Sequence, residues 1–435
     1  MNNLVAIVGR PNVGKSTLFN RLTETREAIT DDTSGTTRDR KYGRVLWTEH
    51  EFNVIDTGGW ITNSEDSFEA AIRGQVEISL EEADVVLFMV EIGVGITDLD
   101  LDIANLLRRT GKPVFVVCNK VDTGAHDVGA EEFYGLGLAD EIYSISANNG
   151  YGTGELLDAL VAALPPLPEQ EDLGLPKLAV VGKPNVGKST FINTILGEER
   201  NIVTDIAGTT RDSVHTRYQM FGFDFEIVDT AGLRKKRQIT DHLEFYSSVR
   251  TIKAIDESDV CLLMLDGSDP MGRQDLNIFW QIVESYRGVV IVVNKWDRVD
   301  KDHGTMMKVE EAIRSKIAPF TDVPIVFTSN VTKQRVLKAL EMALEVRQAR
   351  ASKISTSELN DLLLPIIDHY PPPALKGKYV KIKYVTQIKS QTPTFAFFCN
   401  LPQYIKDPYK RFLENQLREH YNFSGVPIRL FFRKK

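Results

Sequence analysis

The strongest constraint on this chain is a long internal duplication. GRPNVGKST at 9–17 returns as GKPNVGKST at 182–190, GTTRD at 35–39 returns at 208–212, and DTGG at 56–59 returns as DTAG at 229–232. The offset is 173 residues each time, and NKVD at 119–122 returns as NKWD at 294–297 with an offset of 175. Four motifs in one order at nearly one offset describe a duplicated domain; the period is far too long for a solenoid. With 435 residues there is room for about three domains. The expected boundaries are a first domain over 1–164, an acidic Pro-rich linker over 165–176 (PPLPEQEDLGLP), a second domain over 177–350 and a third over 351–435.

Within each copy, short β-branched runs alternate with helical stretches. In the first copy the strands are expected at 4–8, 41–47, 52–56, 84–90, 113–118 and 141–145, and helices near 14–24, 66–82, 98–109 and 153–163. Runs apolar throughout argue for burial on both faces, as in a parallel sheet. Alternating β and α units predict an α/β fold with a doubly wound, mostly parallel sheet. The one antiparallel pair expected is 41–47 with 51–56.

The longest apolar runs, Val85–Val90 and Val260–Leu265, are far short of the roughly 20 residues a membrane helix needs. The opening MNNLVAIVGR has no basic segment or cleavable apolar stretch, so it is expected to be mature structure. Cys118, Cys261 and Cys399 sit in strand-like runs without metal-ligand spacing. They are expected to be buried thiols of a reducing, cytoplasmic protein.

The repeated motifs carry chemistry. Gly9, Arg10, Pro11, Asn12, Val13, Gly14, Lys15, Ser16 and Thr17 contain G-x-x-x-x-G-K-[ST], as do Gly182, Lys183, Pro184, Asn185, Val186, Gly187, Lys188, Ser189 and Thr190. Glycines let backbone N–H groups wrap a phosphate, the lysine neutralises phosphoryl oxygens, and Ser16 or Ser189 can ligate Mg²⁺. Each copy follows an apolar strand and opens a helix, the context such a loop requires. Asp56 and Asp229 end apolar strands, suiting them to hold Mg²⁺; Thr57, Gly58 and Gly59, and Thr230, Ala231 and Gly232, follow them towards the γ-phosphate. Thr37 and Thr210 in GTTRD are expected to close on Mg²⁺ when the γ-phosphate is present, with Thr36 and Thr209 the less favoured partners.

NKVD and NKWD select a base. The Asp122 or Asp297 carboxylate accepts two hydrogen bonds from guanine, which adenine does not offer. Asn119 and Asn294 bind the ring and tie loops together, and Lys120 and Lys295 pack over it. The bland alternative is a polar turn after a buried strand; the matching distance behind a phosphate loop argues against it. Ser146 and Ala147 suit a loop that backs the base. The second copy carries Ser329 and Asn330, where an alanine is expected.

The third segment reads as α-β-β-α-β: a helix over SELNDLLLPIIDHY, strands over 378–388 and TFAFFCN, a helix over 407–421 and a last strand in VPIRLFFRKK. That order is KH-like α+β, but the G-x-x-G of RNA-gripping KH modules is absent. Residues 353–435 hold 14 Lys/Arg against 6 Asp/Glu, a net of +8, so the rest of the chain carries −16 of the total of −8. A basic segment on an acidic body suggests a polyanion contact there; docking on the acidic body explains it equally well. Lys378, Lys381, Lys383, Arg433, Lys434 and Lys435 are open to RNA, to the acidic domains or to solvent.

Taken together, the paired GxPNVGKS, GTTRD, DTxG and NKxD sets and the small basic third domain resemble the Der (EngA) family of bacterial double GTPases. The resemblance spans essentially the whole chain. It implies GTP binding and hydrolysis with one Mg²⁺ per site, and association with the large ribosomal subunit and its RNA during assembly. It also bears on water activation. Trp60 and Leu233 follow DTGG and DTAG, where Ras-type GTPases place a water-orienting glutamine. Asn12 and Asn185 match the asparagine with which potassium-activated GTPases hold K⁺; the alternative is that Pro-Asn only shapes a turn. The run Arg234, Lys235, Lys236, Arg237 exists in the second copy alone. It is either a solvated face or an RNA or domain contact gated by GTP. The protein is expected to act as a monomer. A GTP-dependent RNA-modification enzyme is the competing class, but it needs a nucleophile or cofactor site outside the nucleotide domains, and the third segment offers only Cys399. A signalling GTPase is a third, weaker option.

Overall fold

The computed structural model describes residues 3–24, 42–48, 50–57, 80, 83–121, 124–165, 174–197, 215–228, 243–300, 304–374 and 377–434. The expected helix over 66–82 falls almost wholly outside them. The chain divides into two compact units, 1–170 with 238–249 and 171–237 with 250–435.

The first unit is built on six strands: β1 (Leu4–Val8), β2 (Tyr42–Trp47), β3 (His50–Asp56), β4 (Val85–Glu91), β5 (Val114–Asn119) and β6 (Ile142–Ser144). Their order is β2-β3-β1-β4-β5-β6. Every neighbouring pair is parallel except β2 with β3, which runs antiparallel in the register Tyr42↔Ile55 to Trp47↔His50. The two-residue period sorts β1 between two cores. Leu4, Ala6 and Val8 join Ile103, Ala104 and Leu107 of the helix Asp98–Arg108. Val5 and Ile7 join Leu18, Phe19 and Leu22 of the helix Lys15–Glu24, and Leu156, Leu157 and Leu160 of the helix Thr153–Ala163. Both faces of the sheet are therefore covered, which is why β1 and β4 are apolar along nearly their full length. Truncating fully buried Phe88 of β4 to alanine would cost about 3–5 kcal/mol. A long 3-10 helix, Gly124–Leu136, was not foreshadowed by the sequence pattern.

The second unit repeats the layout with β7 (Lys177–Val181), β8 (Thr216–Met220), β9 (Phe223–Ile227), β10 (Val260–Asp266), β11 (Gly288–Asn294) and β12 (Ile325–Phe327), ordered β12-β11-β10-β7-β9-β8. It also contains a three-stranded sheet, β13 (Ile382–Ile388), β14 (Thr394–Cys399) and β15 (Arg429–Lys434). β13 and β14 are antiparallel, β14 and β15 parallel. The helices Thr356–His369 and Asp407–His420 complete the α-β-β-α-β order. The strand expected from 378 begins at Ile382, and its register with β14 shifts between Ile382 and Tyr384. Ser355 caps the first of these helices by accepting from the Glu358 N–H at 3.2 Å, and the helix continues through Pro365 to stop before Pro371–Pro373.

One apolar core runs from Leu178 of β7 through Leu340 and Ala343 of the helix Val336–Arg350 to Phe395, Phe397 and Ile428 of the last segment. Arg350, almost fully buried, pairs with Asp259 at 2.7 Å, and Arg347 reaches the same carboxylate at 3.0 Å. Thr392 Oγ1 donates to the Tyr286 carbonyl at 3.1 Å, and Val289 N–H to that of Gly425 at 2.8 Å. All three cysteines are buried thiols outside any disulfide, and burial pushes the Cys261 thiol up to about 12. Among the described residues no helix is long and apolar enough to cross a membrane.

Candidate nucleotide sites

Each candidate site assembles at the carboxyl ends of the central strands, where an open parallel sheet leaves a crevice. After β1 the chain turns through Gly9 (φ 148°), Asn12 (φ 66°) and Gly14 (φ 102°) before the helix at Lys15; after β7 it turns through Gly182 (φ 146°), Asn185 (φ 64°) and Gly187 (φ 104°). A side chain at Gly9 would strike the Met89 carbonyl, and one at Gly14 the Asn119 amide. Gly182 and Gly187 face Met264 and Asn294 in the same way. Only glycine combines these angles with so close an approach.

Lys15 Nζ donates to the carbonyls of Gly9 (2.8 Å) and Arg10 (2.7 Å), and Lys188 to those of Gly182 (2.7 Å) and Lys183 (2.8 Å). Burial pushes both ammonium groups down to about 8, although Asp56 opposes this at Lys15 and Asp275 at Lys188. Each lysine thus folds over its own loop, in a place where a phosphate would favour its charged form.

Ser16 Oγ donates to Asp56 Oδ2 at 2.5 Å, and Thr57 Oγ1 to the Ile7 carbonyl at 2.9 Å. In the second copy Ser189 and Thr190 open the helix and are exposed. Asp229, Thr230, Ala231 and Gly232 lie outside the described residues, as do Gly58, Gly59, Trp60, Leu233, Thr37, Thr210, Thr36, Thr209, Asp122 and the run Arg234–Arg237.

The base motif is tied to the phosphate loop by its asparagine. Asn119 Nδ2 donates to the Val13 carbonyl at 2.7 Å while its Oδ1 accepts from the Ala147 N–H at 2.9 Å. Asn294 repeats this with Val186 at 2.8 Å and the Asn330 N–H at 3.3 Å. Asn330 therefore occupies the place of Ala147, and its side chain adds a bond from Nδ2 to the Gly187 carbonyl at 3.0 Å. Ser146 and Ser329 are buried and cap their turns, accepting from the N–H groups of Asn149 (3.4 Å) and Thr332 (3.2 Å). Asp297 lies exposed on the turn 296–298 that follows Lys295 (φ 59°).

Several charged residues around these loops escaped the motif reading. The side chain of Glu91, at the end of β4, sits 2.8 Å from Lys120 Nζ and 3.6 Å from Arg10 Nη2. Arg10 Nε is also 3.4 Å from Asp100, a fully buried carboxylate in the capping box of Thr97. In the second copy Lys183 lies 3.2 Å from Asp275 and 3.4 Å from Asp269, and Lys295 lies 2.6 Å from Asp266. Although burial opposes it, hydrogen bonds from Lys295 and Ser268 bring the Asp266 carboxyl down to about 2. The only signal in the sequence was positional: an acid at the end of the strand after DTxG, and another at N3 of the following helix.

Known proteins match this sequence over the whole chain. A family model described as "50S ribosome-binding GTPase" matches residues 4–120 and again 177–295, and one described as "KH-domain-like of EngA bacterial GTPase enzymes, C-terminal" matches 353–433. GTPase Der of Phocaeicola vulgatus is 58% identical over 438 residues, covering 100% of both chains. GTPase Der of Christiangramia forsetii is 57% identical over 435 residues, again covering 100% of both. A solved structure of an Aquifex aeolicus Era variant bound to GDP and aluminium fluoride aligns at 21% identity and a TM-score of 0.30, over 60% of this chain and 92% of that one. A likeness that weak carries no argument. Two P-loop GTPase domains with a KH-like α+β domain, related along their full length to curated members, place the chain in the Der family of GTPases.

Proposed function

We propose that this chain binds and hydrolyses GTP as an assembly factor in biogenesis of the large ribosomal subunit, and that nucleotide gates its binding to ribosomal particles. The observation that carries this reading is the doubled cross-link of Asn119 to Val13 and Asn294 to Val186, which holds a guanine-selecting motif against a phosphate loop at each site. The description of the family model as ribosome-binding supports the partner.

Lys15 and Lys188 receive the β- and γ-phosphates, exchanging backbone carbonyls for phosphoryl oxygens that favour the charged ammonium. The Ser16 hydroxyl, and the Asp56 carboxylate 2.5 Å from it acting through water, would hold Mg²⁺, which takes hard oxygen donors. Ser189 and Asp229 are their counterparts, and Thr37 and Thr210 complete each set. Mg²⁺ held there offsets charge on the phosphates. Asn12 and Asn185 are exposed at positive φ, and neither side chain has a hydrogen-bond partner among the described residues. Their amide oxygens are free to hold K⁺, which would supply positive charge beside the bridging oxygen in place of an arginine finger.

A body of net −16 is repelled by RNA, so contact runs through the +8 segment 353–435 and through Arg234–Arg237. The second follows DTAGL directly in the sequence, so its RNA contact is proposed to respond to the γ-phosphate, and by reciprocity bound RNA tightens GTP. We place this activity in the cytoplasm, in a monomer. An RNA-modifying role is disfavoured because Cys399, the one thiol of the third segment, is buried and its pKa is raised by that burial. The test is cosedimentation with large ribosomal subunits in GDP and in a non-hydrolysable GTP analogue. Association favoured by the GTP analogue is expected; association with no particle, or one indifferent to nucleotide, defeats the reading.

A further inference from the structure

The two sites differ in how their charges are linked. In the first, Glu91 bridges two loops: Oε1 lies 2.8 Å from Lys120 of the base motif and Oε2 3.6 Å from Arg10 of the phosphate loop. Arg10 is itself anchored from behind by fully buried Asp100 at 3.4 Å. The series Asp100, Arg10, Glu91, Lys120 is unbroken, and Glu91 and Arg10 are shielded, with side chains 16% and 15% exposed. In the second site the equivalent positions are Asp275, Lys183, Asp266 and Lys295. Asp266 holds Lys295 at 2.6 Å, while Lys183 turns to Asp275 at 3.2 Å and Asp269 at 3.4 Å. Among the described residues no ion pair joins Lys183 to Asp266, so the series is cut in the middle.

The reason lies in side-chain geometry. Arginine presents a fork whose Nε and Nη2 face different carboxylates, whereas lysine ends in a single ammonium. Glutamate is one methylene longer than aspartate and reaches across; aspartate does not. The first copy has Val94 where the second has the competing Asp269.

We infer that Glu91 is a positioning residue that couples the phosphate loop to the guanine motif at the first site, and that the second site lacks this coupling. A shift of Arg10 when phosphate enters is then felt at Lys120, and the placement of Lys120 by the base is felt at the phosphate loop. The inference rests on both loops being nucleotide sites, as proposed above.

A double-mutant cycle on the full chain tests it. The first site is read in a Lys188→Ala background and the second in a Lys15→Ala background, with GDP as the probe. Arg10→Met and Lys120→Met are made singly and together. Coupled positions depart from multiplicative losses by about tenfold, the ordinary size for residues sharing one network. Lys183→Met with Lys295→Met is expected to multiply to within about twofold. Repeating the first cycle with Glu91→Gln, or with the shorter Glu91→Asp should the glutamine variant fold poorly, is expected to abolish the departure. Multiplicative losses at the first site overturn the inference. So does an equal departure at both sites, or one that survives the change at Glu91. Absence of GDP binding in the Lys188→Ala background would instead defeat the reading of the first loop as a nucleotide site.

Discussion

In the first unit Arg21 reaches from the phosphate-loop helix to the carbonyls of Ala147, at 2.6 Å, and Asn148. The same helix position in the second unit is Thr194, which bonds back to Thr190 of its own helix at 2.8 Å. There the base-backing loop is held by Asn330 instead, through its amide bond to Gly187. The two copies thus solve one mechanical problem from opposite ends. On the proposed reading, what must be kept is the distance between the phosphate loop and the loop that would back the base; which side chain spans it is free to change. The asparagine at 330, unexpected from the motif, is the second copy's substitute for an arginine it does not have.

The comparison is most sharply broken by base exchange. Asp122→Asn should convert only the first site, and Asp297→Asn only the second, from guanine to xanthine nucleotides. The expected loss of GTP affinity is on the order of 10³-fold, because a site built to accept from guanine N1 and N2 then presents a donor to one of them. Equal competition by ATP at the unaltered sites would show that the base-selection argument is wrong.

Reversing Arg234–Arg237 to glutamates touches the second copy alone. Binding to ribosomal particles should weaken on the order of 100-fold at moderate salt, and the slope of log affinity against log salt should fall by about 3.6 if all four contact phosphate. Nucleotide binding at the first site should be untouched. Particle binding that ignores the reversal would leave the loop a solvated face.

The alternative ties come next. Arg21→Ala should weaken GDP at the first site by about tenfold, the value of losing charge-assisted bonds to carbonyls. Asn330→Ala should cost the second site about threefold, since one neutral bond is lost. A larger loss at Asn330 than at Arg21 would reverse the ranking drawn above.

Potassium is expected to act on both sites alike. Turnover should be about fivefold higher in KCl than in NaCl, a modest electrostatic gain, and Asn12→Ala or Asn185→Ala should blunt the response only at its own site. Identical rates in the two salts would sink the cation reading.

A further small effect is with pH. Burial holds Lys15 and Lys188 down to about 8. Phosphate binds the charged form, so binding takes up a proton once the lysine is neutral. Affinity should hold below pH 7.5 and weaken by about fourfold at pH 8.5, in step at both sites. Calorimetry in buffers of different ionisation heat should detect the proton uptake, and its absence at pH 8.5 would mean the lysines stay charged.

Much of this molecule was readable before any fold was built. A phosphate loop demands glycine where the backbone turns to positive φ against a neighbouring strand, so Gly9, Gly14, Gly182 and Gly187 announce their geometry. The apolar strands announce a buried parallel sheet, because only a strand covered on both faces dispenses with polar alternation. The duplication followed from spacing alone. The absence of a water-orienting glutamine after DTGG and DTAG was also plain.

Tertiary structure decided the rest, because it depends on what lies across space. No pattern marks Glu91 as the partner of both Arg10 and Lys120, since the contact requires the end of β4 to lie beside two loops distant in sequence. The role of Asn330 was equally hidden, as its bond to Gly187 spans 143 positions. The last segment reads as a separate domain by composition, yet Phe395, Phe397 and Ile428 share a core with β7 and the helix Val336–Arg350. Short-range periodicity reports which face of an element is apolar. It does not report which neighbour covers that face, because burial is set by the assembled surface and not by the strand that contributes to it.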